Sequence, residues 1–278
     1  MNKIVKYGFV IVFILFSIYI LSYNIWINSR VKLTNITITN MAVPKEFKGL
    51  RIVQVSDFHN GDFGKKQSLL INKIKDANPD IIIITGDLID RRNTKIEVAL
   101  DFVKEAIKIA PIYFVSGNHE AWLEDYALLK SKLINIGVYV LDNEAVILKS
   151  GQSSLKLAGI MDPDFFEGSD NREIVSESLA SIEGESADFS ILLAHRPDLI
   201  EVYERFDYDL IFSGHAHGGQ FRFPFIGGLL APDQGLFPKY DSGLYRMGKT
   251  MMIVSRGLGN SLFPFRLFNG PELIIVEL

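Results

Sequence analysis

Three apolar runs in the first half of the chain constrain its fold most strongly, because a helical segment follows each of them. The runs cover residues 50–57, 81–87 and 111–118, and the helical segments lie within Ser68–Ala77, from about residue 94 to 109 and from about 122 to 136. Continuous Ile and Val runs predict strands that are covered on both faces. Helices of this length between such strands indicate right-handed β-α-β crossovers and a parallel sheet.

The second half of the chain contains shorter apolar segments. Candidate strands lie at residues 138–141, 145–149, 155–160, 189–194, 210–213, 251–255 and 273–278. They predict a second sheet with antiparallel pairs that packs against the first. Residues 31–40 alternate apolar and polar side chains, which predicts a half-exposed strand. Residues 162–188 carry nine Asp or Glu and few periodic apolar residues, which predicts a solvated loop and a helix.

The N-terminus departs from an ordinary soluble domain. Residues 7–27 contain 21 residues without a charge, long enough as a helix to cross a hydrocarbon layer of about 30 Å. No small-residue cleavage site follows, so an uncleaved single-pass membrane anchor is expected rather than a signal peptide. We predict an anchor at residues 1–30, a linker and edge strand at 31–49, and one catalytic domain at 50–278.

The side of the membrane on which the large domain lies is harder to predict. Lys3 and Lys6 precede the apolar stretch, and Arg30 and Lys32 follow it, so the positive-inside count is nearly balanced. A short basic N-terminus before an apolar run has the order of a signal anchor. This order predicts a cell-membrane protein with an extracytoplasmic catalytic domain.

Composition limits the binding partners and the metal ligands that the chain can have. The chain has 29 Lys and Arg against 33 Asp and Glu, a net charge of −4, so no overall field favours a polyanion and no nucleic acid partner is expected. It has no Cys, which excludes thiolate metal sites and a cysteine nucleophile. Any metal must be held by nitrogen and oxygen atoms.

All five histidines follow predicted strands, in the segments "SDFH", "SGNHE", "LLAHRPD" and "IFSGHAHGG", and "TGDL" adds a further carboxylate. Ligands collect at the carboxyl ends of parallel strands, so we expect these side chains to converge: Asp57, His59, Asp87, Asn118, His119, His195, His215 and His217. The i, i+2 spacing within two pairs, Asp57 with His59 and His215 with His217, would place each pair on one face if the backbone were extended. A two-metal hydrolytic site needs a bridging carboxylate and such mixed ligands, which favour Mn, Fe or Zn over Ca or Mg.

In this order, "DFH", "GD", "GNHE", a lone His near Pro, and "GHAHGG" resemble the calcineurin-like metallophosphoesterase superfamily. The resemblance implies a four-layer α/β/β/α sandwich of two mixed sheets with two divalent metal ions at the strand ends. It places Asp57, His59 and His217 on one ion, Asn118, His195 and His215 on the other, and Asp87 between both. It further implies that a hydroxide shared by the ions attacks phosphorus and that His119 is catalytic, protonating or stabilising the leaving oxygen.

The segments "GLFPKYDSGLYRMG", "SRGLGNS" and "GPELIIVEL" resemble more narrowly the membrane- or envelope-associated bacterial branch, some relatives of which hydrolyse the pyrophosphate of UDP-2,3-diacylglucosamine. The expected function is therefore hydrolysis of a phosphate ester or pyrophosphate in an envelope lipid or lipid precursor. Two alternatives stay open. One is an extracytoplasmic phosphodiesterase that acts on nucleotides or wall polymers, and the other is a non-catalytic metal-binding module, which would be marked by missing ligands.

Several residues near the motifs have open roles. Glu120 stands where many relatives have an Asp that can orient the imidazole, and Asn60 faces either solvent or substrate. The basic residues Arg196, Arg222 and Arg256 either clamp phosphate or form ordinary salt bridges. Residues 221–232 are strongly apolar for a segment rich in Gly and Pro, and form either core or an acyl-binding or membrane-facing lip.

Overall fold

The computed structural model describes residues 3–39, 43–166, 170–184, 186–260 and 265–278. The helices are α1 (Lys3–Asn28), α2 (Ser68–Ala77), α3 (Ile96–Ala106), α4 (Asn118–Ala121), α5 (Tyr126–Ile136), α6 (Asn171–Ser181) and α7 (Ile200–Tyr203). The first nine strands in chain order are β1 (Lys32–Thr37), β2 (Arg51–Val55), β3 (Ile81–Thr85), β4 (Ile112–Val115), β5 (Tyr139–Val140), β6 (Glu144–Ser150), β7 (Ser153–Gly159), β8 (Phe189–Leu193) and β9 (Leu210–Ser213). The remaining strands are β10 (Arg222–Phe223), β11 (Gly227–Gly228), β12 (Leu230–Ala231), β13 (Gly235–Leu236), β14 (Gly243–Met247), β15 (Thr250–Val254) and β16 (Glu272–Glu277).

Two six-stranded mixed sheets form the centre of the fold. The first has the order β1-β16-β2-β3-β4-β5, in which β2 to β5 are parallel and β16 runs antiparallel to β2. The second has the order β14-β15-β9-β8-β7-β6, with β15, β9, β8 and β7 parallel and an antiparallel strand at each edge. Every residue of β3 is buried, as expected for a strand covered on both faces.

Three hydrophobic clusters separate four layers. The first lies between the first sheet and α2, α3 and α5, and includes Phe58 and Phe102. The second fills the space between the two sheets and includes Phe189 and Phe212. The third covers the outer face of the second sheet with α6 and α7 and includes Leu179. The predicted α/β/β/α sandwich of two mixed sheets is therefore confirmed.

The structure differs from the predicted elements in several places, among them α7 and the short strands β10 to β13, which were not predicted. The helix predicted from residue 122 begins at Tyr126, where the Asp125 side chain accepts a hydrogen bond from Leu128 N at 2.9 Å and caps it. The residues before it form the separate one-turn helix α4. Strand β14 was not predicted, because its alternating exposure gives no continuous apolar run. Asn40 and residues 167–169, 185 and 261, which belong to segments interpreted above, lie outside the described residues.

Helix α1 is the one helix within the described ranges that is long and apolar enough to cross a membrane. Its apolar side chains are largely exposed, with Val12 at 65% and Phe13 at 70%. After a short connection, β1 pairs in parallel with β16 at the edge of the first sheet. The division of the chain at residues 30 and 49 stays a prediction.

Candidate metal centre

The candidate site residues lie just beyond the carboxyl ends of five parallel strands. In four cases the residue of interest is the second one after the end of its strand: Asp57 after β2, Asp87 after β3, His195 after β8 and His215 after β9. Asn118 and His119 follow β4 and open α4. Because the strands come from both sheets, the two sheets together bring these side chains to one place.

The backbone at this edge adopts an unusual conformation. Five of the candidate residues have positive φ without being Gly: Asp57 (49°), His59 (48°), Asp87 (53°), His215 (65°) and His217 (48°). The assumption of extended backbone behind the i, i+2 argument is therefore wrong, because both pairs lie in tight turns after their strands. Left-handed conformations cost free energy in ordinary residues and concentrate at functional sites, where the surrounding structure enforces them.

Two motif glycines are required by close packing rather than by φ. A Cβ on Gly214 would lie 2.6 Å from Asp57 Oδ2, and a Cβ on Gly117 would collide with Asp87 Oδ1. Any side chain at either position would displace a carboxylate. In the "GH" and "GN" pairs of the sequence, the second residue is thus a potential metal ligand. The Gly before it leaves space for the carboxylate of Asp57 or Asp87.

The first group of potential ligands contains Asp57, His59, Asp87 and His217, whose donor atoms lie within 4.8 Å of one another. His59 Nε2 and His217 Nε2 are 3.2 Å apart, and His217 Nε2 is 3.3 Å from Asp57 Oδ1. Asp57 is held in place by the Ser56 hydroxyl at 2.6 Å and by His215 N at 3.1 Å. Burial lowers the pKa of His59 to about 3 and holds that of His217 well below its usual value, so both rings stay in the neutral form that binds metals.

The second group contains Asp87, His195 and His215. The His195 Nδ1 atom donates to the Thr85 carbonyl at 2.7 Å, since a carbonyl can only accept. The Nε2 atom of the same ring lies 3.1 Å from Asn118 Oδ1 and 3.2 Å from His215 Nδ1. A backbone partner on the far nitrogen is the usual arrangement for a metal-ligating His.

Asp87 connects the two groups. Its Oδ1 accepts from His119 N at 2.9 Å, whereas its Oδ2 lies 3.5 Å from His59 Nε2 and 3.4 Å from His195 Nε2. Burial alone would raise the pKa of Asp87, but the neighbouring histidines, His195 first, outweigh it and keep this pKa well below its usual range. One ionised oxygen thus faces both groups of nitrogen and oxygen donors. This donor set fits two divalent cations, which need a bridging carboxylate.

His119 lies beside both groups but differs from their members in its contacts. Its Nδ1 accepts the backbone N–H of Arg91 at 3.1 Å, so a neutral ring carries its proton on Nε2, which is 4.0 Å from Asp87 Oδ2. Asp90, which sequence reasoning missed, lies 3.8 Å from His119 Nδ1 and forms a third group with His59 and His119. Asp90 is the second Asp of "GDLID", three residues after Asp87, and this short spacing is the sequence feature that could have identified it.

Glu120 does not orient an imidazole. Its Oε2 accepts the backbone N–H groups of Asp87 and Gly117, both at 2.8 Å, and its Oε1 accepts that of Ile89 at 3.1 Å. The side chain is fully buried. Glu120 therefore joins the loop after β3 to the loop after β4, and so positions the two segments that carry Asp87 and Asn118.

Arg196 is a buried member of an ion network at the cavity wall. Its guanidinium pairs with Asp162 through two bonds of 2.9 and 2.8 Å, with Asp164 at 2.7 Å and with Asp233 at 2.8 Å. Asp233 in turn lies 2.7 Å from His215 Nε2. The sequence contains no motif that marks Asp233, because its link to His215 depends on folding of the loop between β12 and β13.

The other open residues have structural partners. Asn60 is partly exposed, donates to the Asn93 carbonyl and is not among the residues that line the cavity. Arg222 bonds to the Gly218 carbonyl and to Asp241, both at 2.8 Å. Arg256 is largely buried near Glu272, at 3.8 Å.

A cavity of about 300 Å³ opens over the cluster. Besides the histidines and acids, it is lined by these residues: Arg91, Arg92, Asn118, Trp122, Asn171, Arg196 and Pro232. Arg91 stacks on the Trp122 ring at 4.2 Å, and Trp122 is 42% exposed. The cavity thus combines cationic groups, which suit phosphate oxygens, with an exposed aromatic surface.

Comparison with known proteins agrees with this geometry. Residues 50–219 match the family model described as calcineurin-like phosphoesterase. The chain is 32% identical to the uncharacterized metallophosphoesterase YkuE of Bacillus subtilis, over 89% of this chain and 85% of that protein. It is 29% identical to the phosphodiesterase YaeI of Escherichia coli, over 82% of each chain. Among solved structures, the sulfate thiohydrolase SoxB of Thermus thermophilus shares the fold, with a TM-score of 0.51 and 15% identity over 85% of this chain and 57% of that one.

The family match covers strands β2 to β9 and every motif of the cluster. The fold, the donor set around Asp87 and the relatives all point to the same chemistry, metal-dependent hydrolysis of phosphoesters, and the predicted enzyme class is confirmed. The chain belongs to the calcineurin-like phosphoesterase family.

Proposed function

We propose that the chain is a membrane-anchored phosphoesterase with two divalent metal ions in the cluster around Asp87. In this proposal Asp57, His59 and His217 bind one ion, a second group binds the other, and Asp87 bridges the two. The second group consists of Asn118, His195 and His215. The observation that carries the proposal is the position of Asp87 Oδ2, about equally far from a histidine nitrogen of each group.

The ions, when bound, would neutralise phosphate oxygens and lower the pKa of water. The residues of the chain place a proton donor and hold the ligands. The Arg91 N–H fixes the proton of His119 on Nε2, so this atom presents a donor over the cluster to the leaving oxygen of the ester. Glu120 holds the backbone of Asp87 in position, and the Ser56 hydroxyl holds the carboxylate of Asp57. Manganese, iron and zinc all suit these nitrogen and oxygen ligands.

For the substrate we favour a phosphate ester or pyrophosphate of an envelope lipid or lipid precursor, of the UDP-2,3-diacylglucosamine type. Two features support it. Helix α1 would keep the domain at a membrane, and the apolar strands β10 to β13 lead directly into the cavity wall at Pro232. On this interpretation residues 1–30 anchor the protein, 31–49 connect, and 50–278 form the catalytic domain.

A second candidate is a phosphodiesterase that acts on nucleotides or wall polymers. Trp122 favours it, because its exposed ring lies in the cavity beside Arg91 and could stack on a base.

A screen of the full chain in nanodiscs, loaded with Mn, Fe or Zn, distinguishes the two candidate functions. Hydrolysis of bis-p-nitrophenyl phosphate tests the chemistry, and lipid-linked pyrophosphates should then be cleaved faster than soluble nucleotides. Faster cleavage of soluble nucleotides would favour the second candidate, and no metal-dependent cleavage of any ester would refute both.

We further propose that the protein crosses the cell membrane once, with the catalytic domain extracytoplasmic. The chain contains no Cys, so a single introduced thiol reports its own location. Lys249→Cys places a thiol at an exposed hairpin end of the catalytic domain. An impermeant maleimide should label it on intact cells, and labelling only after lysis would reverse the proposed topology.

A further inference from the structure

Two small hairpins after the metal loop expose large apolar side chains. The β10–β11 hairpin presents Phe225, which is fully exposed, and Ile226 at 63%, and the β12–β13 hairpin presents Leu236 at 66%. Phe237 N donates to the Leu229 carbonyl at 2.8 Å and so connects the two hairpins. The exposed apolar side chains of the hairpins and of the loop before β16 are together called the apolar surface: Phe223, Phe225, Ile226, Leu236, Phe237 and Phe265. Residues 223–231 contain no charge. An exposed patch of this kind marks an interaction site, and the alternative that residues 221–232 are core is wrong for the hairpin tips.

This apolar surface is continuous with helix α1. The ring of Phe221 lies 5.6 Å from that of Phe265, and Arg222 N donates to the Leu267 carbonyl at 2.9 Å. Phe265 and Leu267 line an apolar groove whose other wall is α1, from Phe13 to Asn24. The hairpins and the helix therefore meet on one side of the domain.

The end of α1 is attached to the same loop by polar contacts. Asn24 Oδ1 accepts from Phe268 N at 2.8 Å, and Asn28 Nδ2 donates to the Arg266 carbonyl at 2.9 Å. The Tyr23 and Phe268 rings are 5.8 Å apart. These contacts fix the loop beside the helix at a defined level along its axis.

That level lies within the hydrocarbon layer if α1 spans a membrane. A span needs about 20 residues, and the uncharged stretch covers residues 7–27. Any window of about 20 residues within this stretch includes residues 8–26, and thus the whole helix wall of the groove. Phe265 and Leu267, which face that wall, must then lie at the same depth as the helix residues that they face.

We propose that this apolar surface is inserted among lipid acyl chains, and that the cavity mouth consequently lies at the lipid–water boundary. The connection to the cavity is short. The turn between β12 and β13 carries Pro232 and Asp233, both of which line the cavity, and Asp233 lies 2.7 Å from His215 Nε2. The inference rests on the proposed membrane span. It predicts that a lipid substrate can bring its phosphate group to the metals while its acyl chains stay in the bilayer.

Single spin labels on the full chain in nanodiscs of phosphatidylethanolamine and phosphatidylglycerol test the inference. Labels are attached to three separate variants. Phe225→Cys reports on the hairpin tip, Val12→Cys on the helix, and Lys249→Cys on a third hairpin end that is exposed but paired with Asp207 at 2.9 Å. Oxygen concentrates in lipid and a water-soluble nickel chelate does not, so their relative effect on label relaxation measures depth. We expect position 225 to resemble position 12 and to differ from position 249.

The outcomes distinguish failure of this inference from failure of the proposed membrane span. A label in lipid at 12 and in water at 225 overturns the inference and leaves the span intact. Labels in water at both positions overturn both. A label at 225 that neither reagent reaches shows a protein partner, such as a second copy of the chain, and overturns the assignment to lipid.

Discussion

Replacement of Glu120 by Gln tests whether one buried carboxylate holds the loops of the metal centre together. Glu120 accepts three backbone N–H groups, those of Asp87, Ile89 and Gly117. Gln has one acceptor oxygen, so it can keep the two bonds at the Oε2 position but turns an amide donor towards Ile89 N–H. One buried N–H then lacks an acceptor, at a cost of about 1–3 kcal/mol. At roughly 2–4 °C per kcal/mol, the thermal midpoint should fall by roughly 2–12 °C.

The measurement is thermal unfolding of the full chain in nanodiscs with a chelator present, so that metal binding does not contribute. Glu124→Gln is the matched control, because Glu124 is exposed in the short connection between α4 and α5, and it should leave the midpoint unchanged. With metal added, Glu120→Gln should also weaken metal binding, since the Asp87 loop loses an attachment. A midpoint for Glu120→Gln equal to that of the control would refute the assignment of Glu120 as the acceptor for these loops.

Three further substitutions address the site itself. His119→Ala should keep both metals, measured by elemental analysis, and lose about 10²–10⁴-fold in turnover of bis-p-nitrophenyl phosphate; loss of metal instead would make His119 a ligand. Asp87→Asn removes the charge that faces both groups, so the metal content should fall below two per chain, and an unchanged content would contradict the bridge. Arg196→Met leaves the buried Asp162 without its cation and should lower the free energy of unfolding by about 3–5 kcal/mol. Exposed Arg205→Met should change this free energy by less than about 0.5 kcal/mol, and equal effects in urea unfolding would argue against the Arg196 network.

The sequence predicts the central strands of both sheets well because they are buried on both faces. β3 and β9 consist of residues that are all buried, so their apolar runs are unbroken and their ends are marked by the first polar residues. The same rule locates Asp87 and His215, two residues past the ends of these strands. The rule does not predict strand β14, because this strand lies at the edge of the second sheet and its residues alternate in exposure.

The supporting residues could not be predicted because their partners are distant in sequence. Asp233 reaches His215 only through a hairpin turn, and Asn269 donates to the His217 carbonyl at 2.7 Å from 52 positions away. Gly257 is placed by packing, since a Cβ there would lie 2.6 Å from Asp57 Cβ. None of these contacts leaves a periodic or local signal, so sequence reasoning identifies the donors of the cluster and misses what holds them.

The position of the cluster makes its geometry depend on the packing between the sheets. His217 follows a strand of the second sheet and lies 3.2 Å from His59, which follows a strand of the first. His195, again from the second sheet, lies 3.1 Å from Asn118 of the first. Each group therefore joins the two sheets, and its nitrogen and oxygen atoms can meet only if the apolar layer between the sheets has its native thickness. Close-packed interiors change thickness little, so the buried side chains between the sheets, such as Phe212, set the distances between donors that come from different sheets.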